Sequence, residues 1–532
     1  MTVKRPLSKA FIIISLFALL LLGFSTSGFS TIYYVNTAAD AGGDGTTQEL
    51  TGEHCAFKTI AQVNAASPAA GSSILFNKGN EWREQLTVPT SGSDGSPITY
   101  GAYGEGADPI INGSDIIKEW TNYSGDIWEA TCYTEPNQVF FDGTRGNEEI
   151  ALEDVDSAGD WYWVANVLYV YSTSDPDTAY TNPGIEASVR DRCIYANGKD
   201  YITVENLECK NGGDQGIAIS VGNYWTVQNN KVHHCGEIED GLAHNIVIEA
   251  SNNNTIKNNE TYRAGQHGIY VNAGSNNIIE HNEIYDNHHS QCDIRRFSET
   301  STDGNIIRYN LIYFNSDYDC NVNASFMYFR GGSSDQKVTN TDIYYNVFYT
   351  FDADKTHTGI HARSNVENIN IYNNSYYSST NSCAISLEND SLAATVKNNI
   401  AKTQVMYVMQ VYDSTNKTID YNCWDNDSGT LIYVNDATGG DGPAFTEAEW
   451  GSYKSETGFD THGINSDPLM IDPANEDFTL NPHSPCVNAG ADVSLTEDYQ
   501  GLKIRHAPDI GAHENQTNAL FFAWNLFKQW WY

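Results

Sequence analysis

VQNN at Val227–Asn230 opens a series that continues as IKNN at Ile256–Asn259, IEHN at Ile279–Asn282 and IRYN at Ile307–Asn310. IYYN at Ile343–Asn346, IYNN at Ile371–Asn374, VKNN at Val396–Asn399 and IDYN at Ile419–Asn422 complete it. Each time an aliphatic residue stands three positions before an asparagine. The eight asparagines recur at intervals of 23 to 36 residues, a range that marks stacked repeats. Short alternating runs lie between them: GIAIS, NIVIE, GIYVN, GIHAR and AISLE. Alternation over four or five residues is a strand signal rather than a helix signal.

Strands, β-branched residues and one asparagine per repeat fit an all-β right-handed parallel β-helix. Each coil supplies a few strands, and coils stack in register along one axis. Asparagine suits the bend because it tolerates left-handed backbone angles and bonds its own backbone. Stacked once per coil, the asparagines are expected to form an amide ladder. A sandwich of short strands is also rich in turn residues, but nothing in it would repeat one register eight times.

The chain has 532 residues, room for one large solenoid with an appended module. Residues 1–30 read as a secretory signal peptide: Lys4, Arg5 and Lys9, then the apolar run Ala10–Phe24, then small residues. The run is too short for a comfortable membrane span. Its removal would take the formal charge from −39 to −42. Such acidity argues against nucleic acid and anionic membranes as partners. It fits a monomeric protein that is exported, extracellular or periplasmic, with no transmembrane span once the signal is cleaved. Ten cysteines in an oxidising compartment lead us to expect disulfides; Cys209 and Cys235, one coil apart, are the first pair to test.

Residues 31–114 read as an N-terminal cap with the first coils, and 191–432 as the central repeats. Residues 115–190 form a β-rich insertion carrying Trp120, Trp128, Trp161, Trp163, Tyr169 and Tyr171. Those aromatics suit either a sugar-stacking surface or a small core of their own. Residues 433–514 read as C-terminal coils and cap, and 515–532 as an apolar tail over the open end.

With the repeats in hand, the chain resembles the pectate-lyase-like superfamily of secreted parallel β-helix proteins. The aliphatic-x-x-Asn coils carry the resemblance, together with Ser251–Asn287, AFKTI near the start and PDIGAHE near the end. The resemblance implies the fold. It leaves polysaccharide lyase, glycoside hydrolase, epimerase and non-catalytic surface protein all open, because such folds host many functions. Many lyases of the superfamily use Ca²⁺ with a Lys or Arg base. Their ligand-and-lysine pattern is not matched here, and Glu249 stands where a basic residue would be more telling.

Superposing GIAIS, NIVIE, GIYVN, DIRRF, FMYFR, GIHAR and AISLE puts Ile217/Ile219, Ile246/Ile248, Ile269/Val271, Met327/Phe329, Ile360/Ala362 and Ile385/Leu387 inward. One outward column then holds Tyr270, Arg295, Tyr328 and His361. The other holds Glu249, Asn272, Phe297, Arg330, Arg363 and Glu388. Arg296 points inward in this alignment if Ile294 does. Arginines gathered on one face of so acidic a chain suit carboxylates, which guanidinium forks bind in pairs; neutralising local Asp and Glu is the plainer reading.

For β-elimination of an acidic, uronate-containing polysaccharide, Arg330 and Arg295, or Ca²⁺, would neutralise the carboxylate, His361 would be the base and Tyr328 or Tyr270 the acid. Arg363, Tyr270, Asn272 and His267 would bind substrate. Asp317, Asp319 and Asn321, with Asn323, offer alternating oxygens for Ca²⁺, or form an ordinary turn. Hydrolysis would need two carboxylates at a defined separation; Glu249 and Glu388 are about five coils apart, and Asp293, Asp352 and Asp354 have nothing to single them out.

Overall fold

The computed structural model describes residues 30–515 except 239–240, 297–301, 316–319, 322–323, 333–334, 353–354, 381, 389–392, 405–406, 428, 436–441 and 505–506. The expected signal peptide and most of the apolar tail lie outside the described residues. Three long sheets of 13, 12 and 12 strands run the length of the molecule. Each coil gives one short strand to each sheet. In one coil Thr226–Gln228 enters the first sheet, Lys231–His233 the second and His244–Glu249 the third. Successive coils pair parallel and in register, as Val227↔Ile256 and Ile217↔Ile246 illustrate. This is the β-helix read from the sequence.

The inward positions all fall in one continuous core, including Ile217/Ile219, Ile269/Val271, Met327/Phe329 and Ile385/Leu387. Its ends are closed by aromatic and aliphatic residues. A short helix, Ile60–Ala65, lays Ile60 and Val63 over the first coils and is held by a Thr59–Gln62 capping box. Phe445, Tyr453 and Phe459 cover the last coils.

The amide ladder exists, and its geometry corrects the reason given for asparagine. Nδ2 of Asn230 donates to Oδ1 of Asn259 at 3.1 Å, and the bond repeats from Asn259 to Asn282 and from Asn282 to Asn310, at 3.0 Å each. It runs on through Asn346, Asn374 and Asn399 to Asn422. Asp460 ends it, accepting from Asn422 at 3.0 Å. The left-handed residue is the one before each ladder asparagine: Asn229, Asn258, His281, Tyr309, Tyr345, Asn373, Asn398 and Tyr421. Tyrosine and histidine are held in that region because the next residue's amide bonds over-determine the turn. At another corner Asn254 Nδ2 donates to Asn277 Oδ1 at 3.0 Å, and the Asn277 backbone N–H donates to Asn305 Oδ1 at 2.9 Å.

Residues 115–190 form a four-stranded and a five-stranded sheet. Trp120, Trp161, Leu168 and Val170 share a core there, with Trp128 and Trp163 partly buried against it. Of the two readings of these aromatics, the small core is the one the packing shows for Trp120 and Trp161. The expected disulfides are not formed: all ten cysteines are buried thiols. Cys209 faces Val232 across its strands, not Cys235. Cys235 instead lies beside Cys193, and Cys423 beside Cys486, while the Cys193 thiol donates to the Lys210 carbonyl at 3.1 Å and the Cys235 thiol to the His233 carbonyl at 3.3 Å.

Candidate functional site

The third sheet carries the residues singled out above, but one strand sits two residues away from its expected alignment. Cys292 and Ile294 take the inward slots opposite Ile269 and Val271. A thiol behaves there as a small apolar group. Asp293, not Arg295, therefore joins the column Tyr270, Tyr328, His361 and Ser386. Arg295 joins Asn272, Arg330 and Arg363. A shift of two preserves the face, so Arg295 still points outward. Arg296, which follows the strand, is fully buried, as its inward alignment implied. Phe297 lies outside the described residues.

Arg295, Arg330 and Arg363 stand on successive strands about 4.8 Å apart. Such a column repels itself unless anions hold it. Asp293, fully buried, bonds the Arg295 guanidinium through both oxygens, with Nε–Oδ1 at 2.8 Å and Nη2–Oδ2 at 2.7 Å. The Tyr328 ring lies 5.1 Å from the same guanidinium. Burial pushes the Asp293 carboxyl up to about 6, against the pull of Arg295, which lowers it. At the other end Glu388 bonds Arg363 Nε at 3.0 Å and His361 Nε2 at 2.6 Å. Burial raises the Glu388 carboxyl, but the His361 hydrogen bond and the nearby arginines hold it below the usual range. Arg330 is exposed between these two ion pairs.

The ring of His361 meets Tyr328 edge to face at 5.1 Å. With a carboxylate at Nε2, that nitrogen carries the proton, so Nδ1 is the ring's acceptor. Behind Tyr270 lie His244 and His267, stacked on each other at 5.0 Å and on Tyr270 at 4.3 and 5.5 Å. Both are buried, and burial with the charge of Arg295 lowers their basicity, His244 to about 3. His289, overlooked in the sequence, sits 5.3 Å from His267 and 6.4 Å from Tyr328 and is pushed down to about 4 by burial and Arg295. The run HHS before the strand was its only signal.

His267, His289 and Asp293 bring donor atoms within 4.8 Å of one another. A cation is already there: Arg295 binds both Asp293 oxygens. Two imidazoles and one carboxylate also differ from the all-oxygen shell Ca²⁺ takes. Of the calcium residues named from the sequence, Asp317, Asp319 and Asn323 lie outside the described residues, as does Asp354. Asn321 is described, its backbone N–H donating to the His288 carbonyl at 2.7 Å.

Comparison with known proteins bears on the fold. A family model described as a right handed beta helix region matches residues 185–332. No curated protein sequence matches the chain. Among solved structures, XylC in complex with xylose superposes with a TM-score of 0.57 at 16% identity, covering 91% of this chain and 98% of that one. The pectate lyase Pel9A gives 0.52 at 16% identity, covering 92% and 98%. Coil register, family model and superpositions agree: this chain has a right-handed parallel β-helix fold, which XylC and Pel9A share.

Proposed function

We propose that the protein is an exported lyase that cleaves an acidic, uronate-containing polysaccharide by β-elimination. The observation that carries this reading is the arginine column Arg295–Arg330–Arg363 beside the Tyr328–His361 pair. Successive guanidinium groups about one strand spacing apart suit the carboxylates of a polymer lying along the groove. Arg330, exposed between two ion pairs, takes the carboxylate of the sugar to be cleaved. That contact favours the enolate-like charge that develops as C5 loses its proton. His361 Nδ1 accepts the C5 proton, the C4–O bond breaks as C4=C5 forms, and the Tyr328 hydroxyl protonates the departing oxygen. Glu388 holds the imidazole in the required tautomer, and Asp293 holds Arg295.

Two carboxylates lie near this groove, Glu388 half-buried and Asp293 fully buried, and a hydrolase would need two. Their strands are three spacings apart. Each is also bound by cations. The described geometry therefore favours elimination. Pel9A, a pectate lyase of the same fold, makes pectate the first substrate to try.

The test offers the purified protein pectate, alginate, chondroitin and ulvan and follows the ultraviolet absorbance of unsaturated uronate ends, with calcium and with chelator. A rise that Arg330→Ala and His361→Ala each abolish supports the reading. New reducing ends without absorbance would replace it with hydrolysis, and neither signal on any polymer would sink both.

A further inference from the structure

A second cluster of chemistry-bearing side chains lies outside the groove, at the loops leading from the second sheet into the third. Cys320 precedes the strand Ser325–Arg330, and Asp352 precedes the next coil's strand His357–Arg363, whose first residue is His357. All three are buried. Asp352 Oδ2 lies 3.8 Å from Cys320 Sγ and 3.3 Å from His357 Nε2. Donor atoms of the three lie within 4.8 Å of one another.

We infer that Cys320, Asp352 and His357 form a binding site for a zinc-like divalent cation, which clips two neighbouring loops together. Thiolate, imidazole and carboxylate form a mixed soft and borderline set that selects zinc over calcium or magnesium. The distances suit a shared metal as well as hydrogen bonds. Bonds of roughly 2.3 Å to sulfur and 2.0–2.1 Å to nitrogen and oxygen, at tetrahedral angles, put ligand atoms roughly 3.3–3.5 Å apart. The 3.3 Å separation matches such an edge, and the 3.8 Å one lies close to it. A good N–H···O bond is shorter, roughly 2.7–3.2 Å.

His357 Nδ1 is buried without a hydrogen-bond partner among the described residues, while its ring stacks on Phe314 at 4.1 Å. A ring so fixed presents Nε2 to the cluster. Charge also balances, since a dication meets one thiolate and one carboxylate. Lys355 donates to the Cys320 carbonyl. Metal binding displaces the thiol proton. Three protein ligands leave a fourth position for water.

The experiment uses the whole secreted chain without a polyhistidine tag, stripped with a chelator and titrated with Co²⁺ and then Zn²⁺. The expected result is one Co²⁺ per chain with thiolate-to-cobalt charge-transfer absorption, displaced by Zn²⁺. Cys320→Ser should abolish that absorption, and His357→Gln should weaken cobalt binding at least tenfold. Zn²⁺ should also slow alkylation of Cys320 in the unmodified protein, a readout that needs no variant to fold. Cobalt bound without charge transfer, equal absorption in Cys320→Ser, or alkylation indifferent to zinc would each overturn the site. None of these readouts depends on polysaccharide cleavage.

Discussion

The asparagine corner and the groove face are built from the same coils and obey opposite rules. At the corner one residue repeats eight times and makes the same amide-to-amide bond seven times, the last asparagine bonding Asp460. On the groove face the columns are mixed: Tyr270, Asp293, Tyr328, His361 and Ser386 in one, Asn272 and the arginines Arg295, Arg330 and Arg363 in the other. Repetition adds stability coil by coil, as in any nearest-neighbour stack. Variation places unlike groups one strand spacing apart, which is what chemistry requires. Substitutions in the two regions should therefore separate cleanly into loss of activity and loss of stability.

The largest effect belongs to the groove. His361→Ala should lower the rate of unsaturated-end formation by about 10²–10⁴-fold, the usual contribution of a general base. Thermal unfolding should move little, since the ring is partly exposed at the surface. A large fall in melting temperature would mean that His361 is structural and would blur the contrast.

Asn346→Ala tests the other side. The substitution removes an amide that donates to the Ile307 carbonyl and to Asn374 Oδ1 and accepts from Asn310. Buried backbone groups left without partners cost about 1–3 kcal/mol each, so a loss of about 2–4 kcal/mol is expected in denaturant unfolding. Below the transition the rate per folded molecule should stay near wild type. A catalytic defect in fully folded Asn346→Ala would show that corner and groove are coupled.

What could be read from the sequence follows the same division. The ladder asparagines and the inward Ile and Val columns obey a period, and a period survives without coordinates. Asp293 was lost because Cys292 fills an aliphatic slot, and a thiol does not announce itself as core. His289 was lost because it precedes its strand, where no alternation marks it. Tyr309 and Tyr345 in left-handed turns were unreadable for a related reason: the bonds that hold them come from other coils. Long-range pairing, such as Cys193 with Cys235, is likewise set by coil geometry rather than by spacing.

A third test uses pH. Asp293 carries a carboxyl near 6 when folded, against an ordinary value of 3.8. The folded protein holds that proton across the window from about pH 4 to 6 while the unfolded chain releases it. This raised group therefore costs stability as pH rises through the window, by up to about 3 kcal/mol. Asp293→Asn lacks the titration, so its stability should fall less than wild type between pH 4 and pH 7. Neighbouring His267, His289, Arg295, Arg330 and His361 remain in both proteins, so the difference isolates the carboxyl. Parallel stability curves would mean that Arg295 keeps Asp293 ionised throughout.

The smallest effect sharpens the comparison most, because it asks whether one groove residue acts through another. Glu388 touches His361 and Arg363, and in the proposed reaction it meets no reacting atom. Glu388→Gln keeps an oxygen that can accept the Nε2 proton and so keeps the tautomer, while the charge is lost. About a tenfold fall in kcat is expected, with KM little changed, the difference of roughly 1.4 kcal/mol that a charge-assisted bond adds over a neutral one. Glu388→Ala loses the acceptor as well, and its kcat should fall further toward that of His361→Ala. Equal kcat values for Gln and Ala would show that charge alone matters. A change confined to KM would instead move Glu388 to substrate binding through Arg363, and the order of these two variants decides between positioning the base and shaping the arginine column.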